Sequence, residues 1–110
     1  MNIIGCKSLH YEVIIFNTKG GVINFTRAVA AELAKYNITC NCICPGYFDT
    51  ELTSEVLKTE EFTNYMKATV PMGRYGNEGE LNAGAVFLAS DVASYITGAI
   101  IPIDGGYTCV

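Results

Sequence analysis

The chain has 110 residues, half of them hydrophobic and 16% charged, with a formal net charge of −4. That balance fits one globular unit of 1–110 with a buried core, and it excludes a disordered or low-complexity chain. No cluster of lysine and arginine is present to follow a phosphate backbone or an anionic bilayer, and no apolar run approaches the length of a membrane span, so neither nucleic acid nor membrane is expected as a partner.

The opening residues carry the weakest pattern. Ile3-Ile4 reads as the end of a strand, and Val13-Ile14-Ile15-Phe16 is apolar without a clear period. Gly5, Lys7 and His10 interrupt the apolar residues after Met1, so no secretory leader is read there. His10 is the single histidine and Ser8 stands two residues before it. A nucleophile needs a base, a third orienting group and an oxyanion site, and this pair offers no sign of the last two.

From Asn17 to Thr50 the pattern becomes strong. Val22, Phe25, Val29, Leu33 and Tyr36 recur at helical spacing, with Ile23, Ala30 and Ala34 widening the stripe, so a helix spanning 17 to 36 is predicted to bury that face. Asn37 suits a left-handed terminator. Residues 38 to 44 are rich in β-branched residues and cysteine with no charge, the pattern of a parallel strand covered on both faces. Helix, tight turn, buried strand and then Pro45-Gly46 make half of a βαβ wind, and in open α/β sheets ligands sit beyond the carboxyl ends of the strands.

Five cysteines raise the question of metal or disulfide. Cys40, Cys42 and Cys44 alternate along the strand, about 6 to 7 Å apart on one face at roughly 3.3 Å rise per residue, so the row does not converge on one tetrahedral ion. Buried reduced thiols are the expectation, which points to a reducing, cytoplasmic setting.

Residues 50 to 70 are polar and helix-prone in two pieces. Thr53 or Ser54 is placed to cap the first, and Phe62, Tyr65 and Met66 share a face of the second. Two readings stay open for this pair: a lid over a substrate, or plain surface helices. Pro71 to Gly76 is a loop, and Asn77 is placed to cap a helix whose Leu81, Ala85 and Leu88 face inward. Residues 99 to 103 read as a last strand at a sheet edge, because Pro102 cannot donate to a ladder, and Asp104-Gly105-Gly106 ends it as a turn.

Several short motifs then fall in one order: Lys19-Gly20-Gly21-Val22, Ala31-Glu32, Asn41-x3-Pro45-Gly46-x3-Thr50, Pro71-Met72-Gly73-Arg74, Phe87-Leu88-Ala89-Ser90, and Ile96-Thr97-Gly98 through Asp104-Gly105-Gly106. Together they resemble the carboxyl-terminal half of the short-chain dehydrogenase/reductase family, closest to its gluconate 5-dehydrogenase type. The resemblance implies an α/β fold, the last three strands of a Rossmann-like doubly wound parallel sheet with flanking helices, and NAD or NADP as cofactor. It implies hydride transfer between nicotinamide and a small alcohol or ketone, a sugar acid in the gluconate type. It also implies association between subunits through the helix at 17 to 36 and through the last helix and strand at 78 to 103, giving a homo-oligomer or docking on a full-length relative.

In that family a Tyr-x-x-x-Lys pair performs the acid and base steps. Residues i and i+4 share a helix face roughly 6 Å apart, and the ammonium lowers the phenol's pKa from about 10. Lys19 matches the lysine, which also holds the nicotinamide ribose, but the tyrosine position is occupied by Ile15. Tyr11 lies eight residues before Lys19, roughly 12 Å along a helix, and does not substitute. The family's serine and its Gly-rich pyrophosphate turn find no counterpart among these residues, nor does the residue that sorts NAD from NADP. What the resemblance carries onto this chain is one wall of the nicotinamide site: Lys19, Pro45, Gly46, Phe48 through its backbone, and Thr50. A truncated member of the family, inactive by itself, is therefore expected. The other readings are a non-catalytic oligomerisation module and the product of a gene damaged near residues 1 to 16.

Overall fold

The computed structural model describes residues 2–6, 14–49 and 54–110, with the side chains of 2–6, 14–20 and 56 outside that description. Three parallel strands form one sheet in the order β1-β2-β3: β1 (Asn2–Cys6), β2 (Thr39–Pro45) and β3 (Ile100–Ile103). A helix α1 (Ile14–Leu33) joins β1 to β2. Helices α2 (Ser54–Leu57), α3 (Glu60–Thr69) and α4 (Glu80–Ala89) fill the long connection from β2 to β3. β1 is paired with β2 from Asn2↔Thr39 to Cys6↔Ile43, and β3 with β2 from Cys42↔Ile100 to Pro45↔Ile103. The parallel α/β sheet with flanking helices that the sequence implied is the fold of this chain.

β2 is buried along almost its whole length because it has a strand on each edge and a helix on each face. Cys42 and Ile43 each keep only 2% of their surface. Ile43 and Ile103 point toward α4, where a Cβ on Gly84 would stand 2.4 Å from Ile103 Cδ1. Glycine at that position lets the helix settle onto the sheet. Cys40, Cys42 and Cys44 have the opposite parity and lie on the face covered by α1. As its proline requires, β3 lies at an edge, and Pro102 is exposed there.

Beyond the register, Asn41 is the polar group on which the core depends. It is 1% exposed; its Nδ2 donates to the Ile96 carbonyl at 2.9 Å and its Oδ1 accepts from the Ala99 N–H at 3.0 Å. Around it the Gly98 N–H donates to the Cys40 carbonyl at 2.7 Å, the Cys42 N–H to the Ala99 carbonyl at 2.9 Å, and the Cys40 N–H to Thr97 Oγ1 at 3.0 Å. Residues 96 to 99 are thus laced to β2 before β3 begins.

Several local expectations correspond to the structure. Asn37 ends the 3₁₀ turn Ala34–Tyr36 at φ 57°, and Leu88 of α4 is fully buried. Others change. α1 starts at Ile14, so the unperiodic run at 13 to 16 is largely its first turn, and Ile3-Ile4 lies inside β1. The stripe through Phe25 and Tyr36 is not buried: Phe25 is 69% and Tyr36 63% exposed. The buried arc of α1 centres on Thr26 and Ala30, and Phe25 lies about 100° around the helix from Thr26. Asn77 does not cap α4 with its side chain. Gly79 occupies the N-cap at φ 87°, and the Asn77 N–H instead donates to Glu80 Oε2 at 2.6 Å. Thr59, not considered from sequence, caps α3 by accepting from the Phe62 N–H at 3.3 Å. Thr53 lies outside the described residues, and Ser54 is the first residue of α2.

Asn41→Ala leaves a buried carbonyl and a buried N–H without their partner. The expected cost is about 2–4 kcal/mol, read as a lower urea midpoint with an unchanged slope.

Candidate functional site

The carboxyl ends of β2 and β3 come together at Pro45-Gly46 and Ile103-Asp104. The Gly46 N–H donates to the Ile103 carbonyl at 2.9 Å, extending the ladder one residue past β2. A Cβ on Gly46 would stand 2.6 Å from Asp104 Cα, so only glycine lets the two strand ends approach this closely. The chain then turns through Tyr47 to Phe48, which forms an isolated parallel bridge with Gly76. Here the Gly76 N–H donates to the Tyr47 carbonyl at 2.8 Å, and the Phe48 ring fills the space where a Cβ on Gly76 would be. The Pro-Gly loop is therefore held on one side by β3 and on the other by the Pro71–Gly76 loop.

Tyr47 is the hub of an aromatic cluster. Its ring meets those of Phe62, Tyr65 and Tyr107 edge-on, at centroid distances of 5.5, 6.3 and 5.6 Å. The cluster ties α3 and the carboxyl-terminal 3₁₀ turn Tyr107–Cys109 to the loop. α3 thus packs beside the Pro-Gly loop, a position compatible with both readings of residues 50 to 70. Burial, reinforced by Tyr65 and Tyr107, pushes the Tyr47 phenol well above its ordinary range. A tyrosine serving as an acid and base needs a cation that moves its pKa down, the opposite of the direction at Tyr47. The Phe62 and Tyr65 spacing was legible in the sequence, but nothing local signalled that both converge on Tyr47.

Asp104 shapes the other rim. Its carboxylate accepts from the Gly106 and Thr108 N–H groups at 2.9 and 3.0 Å and from the Thr108 hydroxyl at 2.7 Å. Burial acts to raise its pKa, but these hydrogen bonds outweigh it and hold the group below the usual carboxylate range. The turn packs on the loop that follows α3, through a hydrogen bond from the Met72 N–H to the Gly105 carbonyl at 3.1 Å, and a Cβ on Gly106 would stand 3.0 Å from the Pro71 ring.

Between the loop, β3 and α4 lies a largely apolar cavity of about 300 Å³, lined among others by Phe48, Met72, Arg74, Glu80 and Ile103. Arg74 grips Glu80 in a fork, Nη1 to Oε2 at 2.7 Å and Nη2 to Oε1 at 2.8 Å. The three charged residues of the lining are all engaged within the protein, Arg74 with Glu80 and Asp104 with its own turn. Among the described residues of the lining, then, the single cation is already paired.

Of the residues singled out from sequence, Pro45, Gly46 and Phe48 stand together at the strand ends. Ile15 and Lys19 lie one turn apart on α1, the spacing of the family's acid-base pair, with side chains outside the described residues. Thr50, Ser8, His10 and Tyr11 also lie outside the described residues. Among the described residues no three His, Cys, Asp or Glu side chains converge as a metal site. The thiols depart from the expected spacing in one respect: Cys42 Sγ and Cys44 Sγ approach to 3.9 Å because the side chains lean toward each other along the strand.

A family model described as enoyl-(acyl carrier protein) reductase matches residues 5–108. The chain belongs to the short-chain dehydrogenase/reductase family. It is 46% identical over 91 residues to a galactitol 2-dehydrogenase (L-tagatose-forming) of Cereibacter sphaeroides, covering 83% of this chain and 36% of that protein. It is 39% identical over 102 residues to the L-rhamnose-1-dehydrogenase of Scheffersomyces stipitis, covering 93% and 38%. Among solved structures, a gluconate 5-dehydrogenase from Burkholderia cenocepacia in complex with NADP and tartrate superposes with a TM-score of 0.87 at 33% identity, covering 99% of this chain and 45% of that one. The chain thus spans less than half the length of these three relatives. These are oxidoreductases, and the gluconate 5-dehydrogenase resemblance read from the motifs agrees with them. Among the described residues no helix is long and apolar enough to cross a membrane.

Fit to a dinucleotide is one-sided. Pro45 has no N–H and the Gly46 N–H is taken by Ile103, so these two residues present a wall, with a glycine that admits close approach, and no backbone donor of their own. A pyrophosphate cradle requires successive backbone N–H groups at a helix start, and the described α4, which begins beside this loop, has Glu80 in its first turn.

Glu80 yields a prediction. Its fork with Arg74 and its bond from Asn77 lower its pKa to about 2, from an ordinary value of 4.5. The folded state therefore binds this proton less readily than the unfolded chain, so the contribution to stability is complete above pH 4.5 and is lost as pH falls through about 2. Thermal melts of the wild type and of Glu80→Gln are expected to differ by a constant amount above pH 5 and to converge toward pH 2.

Proposed function

We propose that these residues form the nicotinamide-facing half of an NAD(P)-dependent oxidoreductase that acts on a small alcohol or ketone of the sugar or sugar-acid class. The observation that carries this reading is the Pro45-Gly46 loop at the carboxyl ends of two parallel strands, with Gly46 forced by the approach of Asp104. In open α/β sheets that is where ligands bind. The names of the relatives, dehydrogenases of a hexitol, a deoxysugar and gluconate, support the substrate class.

In this reading Pro45 and Gly46 form the wall on which the nicotinamide ring rests. The Phe48 backbone and Thr50 meet its carboxamide side, and Lys19 holds the ribose hydroxyls. The cofactor, when bound, supplies or accepts the hydride. The chain's own part is to orient that ring and to seat the substrate beneath α3, whose Phe62 and Tyr65 are fixed by Tyr47. Cys40, Cys42, Cys44 and Cys109 stand outside any disulfide, which suits a reducing, cytoplasmic setting.

The proposal extends to the polypeptide of 110 residues by itself: it does not transfer hydride. Position 15 is isoleucine where the family's acid-base pair has tyrosine, and Tyr47, with its raised pKa, is no replacement. A general acid accounts for roughly 10² to 10⁴ in rate, and loss of the pyrophosphate cradle removes binding itself. The purified 110-residue chain is expected to show neither saturable NADH or NADPH binding by calorimetry nor turnover with gluconate or galactitol. Ile15→Tyr is expected not to restore turnover in that same chain. Reduction of either nucleotide by the unmodified chain would overturn the proposal.

A second reading, a non-catalytic association module, rests on the exposed apolar side chains Phe25 of α1 and Val86, Phe87, Val92 and Tyr95 of the α4 region. Its occupant is a second copy of this chain or a full-length relative. Light scattering decides it, since a monodisperse monomer up to high concentration eliminates the module.

A further inference from the structure

We propose that the cavity between the Pro-Gly loop, β3 and α4 binds a neutral, fused two-ring aromatic molecule of the indole or naphthol class, independently of the oxidoreductase reading. Its volume is about 300 Å³ and its walls are largely apolar. An apolar cavity of about 150 Å³ takes up benzene, so twice that volume suits two fused rings. Small-molecule sites begin at this size.

The walls select an uncharged aromatic guest. Tyr47, Phe48, Tyr75 and the Met72 thioether line the space, with Ile103 from β3 and Ala83 from α4. Rings pack edge-on or offset against rings, and a thioether sulfur gains by lying at a ring edge, so this lining rewards an aromatic molecule over an aliphatic one. Charge is disfavoured because the charged side chains of the lining are already engaged. Arg74 and Glu80 close on each other at 2.7 and 2.8 Å, and the Asp104 carboxylate accepts from the Gly106 and Thr108 N–H groups. An ion entering here has to compete with those bonds. Met72 is 60% exposed, so the cavity is reached from solvent on its side.

The cavity shares Tyr47 and Phe48 with the Pro-Gly loop, whose path is held by the bridge from Phe48 to Gly76. A guest packed against these rings binds the folded chain and not the unfolded one, so it stabilises the fold in step with its concentration. The exposed apolar side chains Val92 and Tyr95 take no part in the lining, which separates this site from simple adhesion to the outer face of the α4 region.

The test uses the purified 110-residue chain and indole. The chain has no tryptophan, so indole excited beyond the tyrosine absorption band reports its own surroundings. Saturable binding of one equivalent is expected, with blue-shifted emission, a dissociation constant on the order of 0.1 mM and a melting temperature that rises with indole concentration. Ala83→Leu, at an exposed position of α4, fills the space and is expected to weaken binding roughly tenfold, with circular dichroism compared with the parent to establish that the fold is kept. Val92→Ser and Tyr95→Ser are expected to bind as the parent does. Nuclear Overhauser contacts are expected between indole and the methyl groups of Met72 and Ile103, and indole-3-acetate, which carries a charge, is expected to bind more weakly than indole. No saturable binding, undiminished binding in folded Ala83→Leu, loss of binding in Val92→Ser or Tyr95→Ser, Overhauser contacts to other methyl groups only, or equal binding of indole-3-acetate overturns the proposal.

Discussion

Everything in this chain depends on β2 having a hydrogen-bonded neighbour along both edges. A parallel strand lying between two others must be apolar on both faces and must find partners for every N–H and C=O, and β2 meets the second demand with more than strands. Where β3 has not yet begun, residues 96 to 99 take its place, and the Asn41 amide binds that segment from inside the core. A buried amide satisfied on both its donor and its acceptor sides fixes register in a way that apolar packing does not, because a slip of one residue would orphan it. The placement of β3, and hence of the turn at Asp104, follows from that one side chain.

The candidate site is a consequence of the same register. Once Pro45 pairs with Ile103, the Gly46 backbone lies against Asp104, and the loop beyond has one path, across Gly76 and under α3. Tyr47 then sets the position of α3 relative to the loop through three edge-on ring contacts. The site is thus built from backbone constraint and aromatic packing, with its charges, Arg74, Glu80 and Asp104, turned to holding loops in place. Among the described residues the wall at Pro45-Gly46 offers shape to a planar ring, and the proposed oxidoreductase reading is accordingly confined to one half of a cofactor site.

The chemistry that the family motif promises is divided between residues in the same way. Lys19 lies on α1 one turn after Ile15, and in the proposed reading the isoleucine leaves no phenol whose pKa the lysine would tune. Tyr47 is the tyrosine nearest the loop in sequence, and its environment drives its pKa in the opposite direction. Residue type alone does not make a catalytic acid. The sign of the electrostatic environment decides.

The sequence by itself determined the order and type of the elements from α1 onward, the edge position of β3, the left-handed turn at Asn37 and the family. These rest on local periodicity, on what Pro and Asn can adopt, and on motifs read along the chain. Only the tertiary structure decided which arc of α1 is buried, that Glu80 and not Asn77 governs the start of α4, and that Cys42 and Cys44 meet at their sulfurs. The convergence of Phe62, Tyr65 and Tyr107 on Tyr47 belongs with them. Each of those depends on residues far apart in the chain or on the angle at which a side chain leaves the backbone, and neither quantity has a local signature in the sequence.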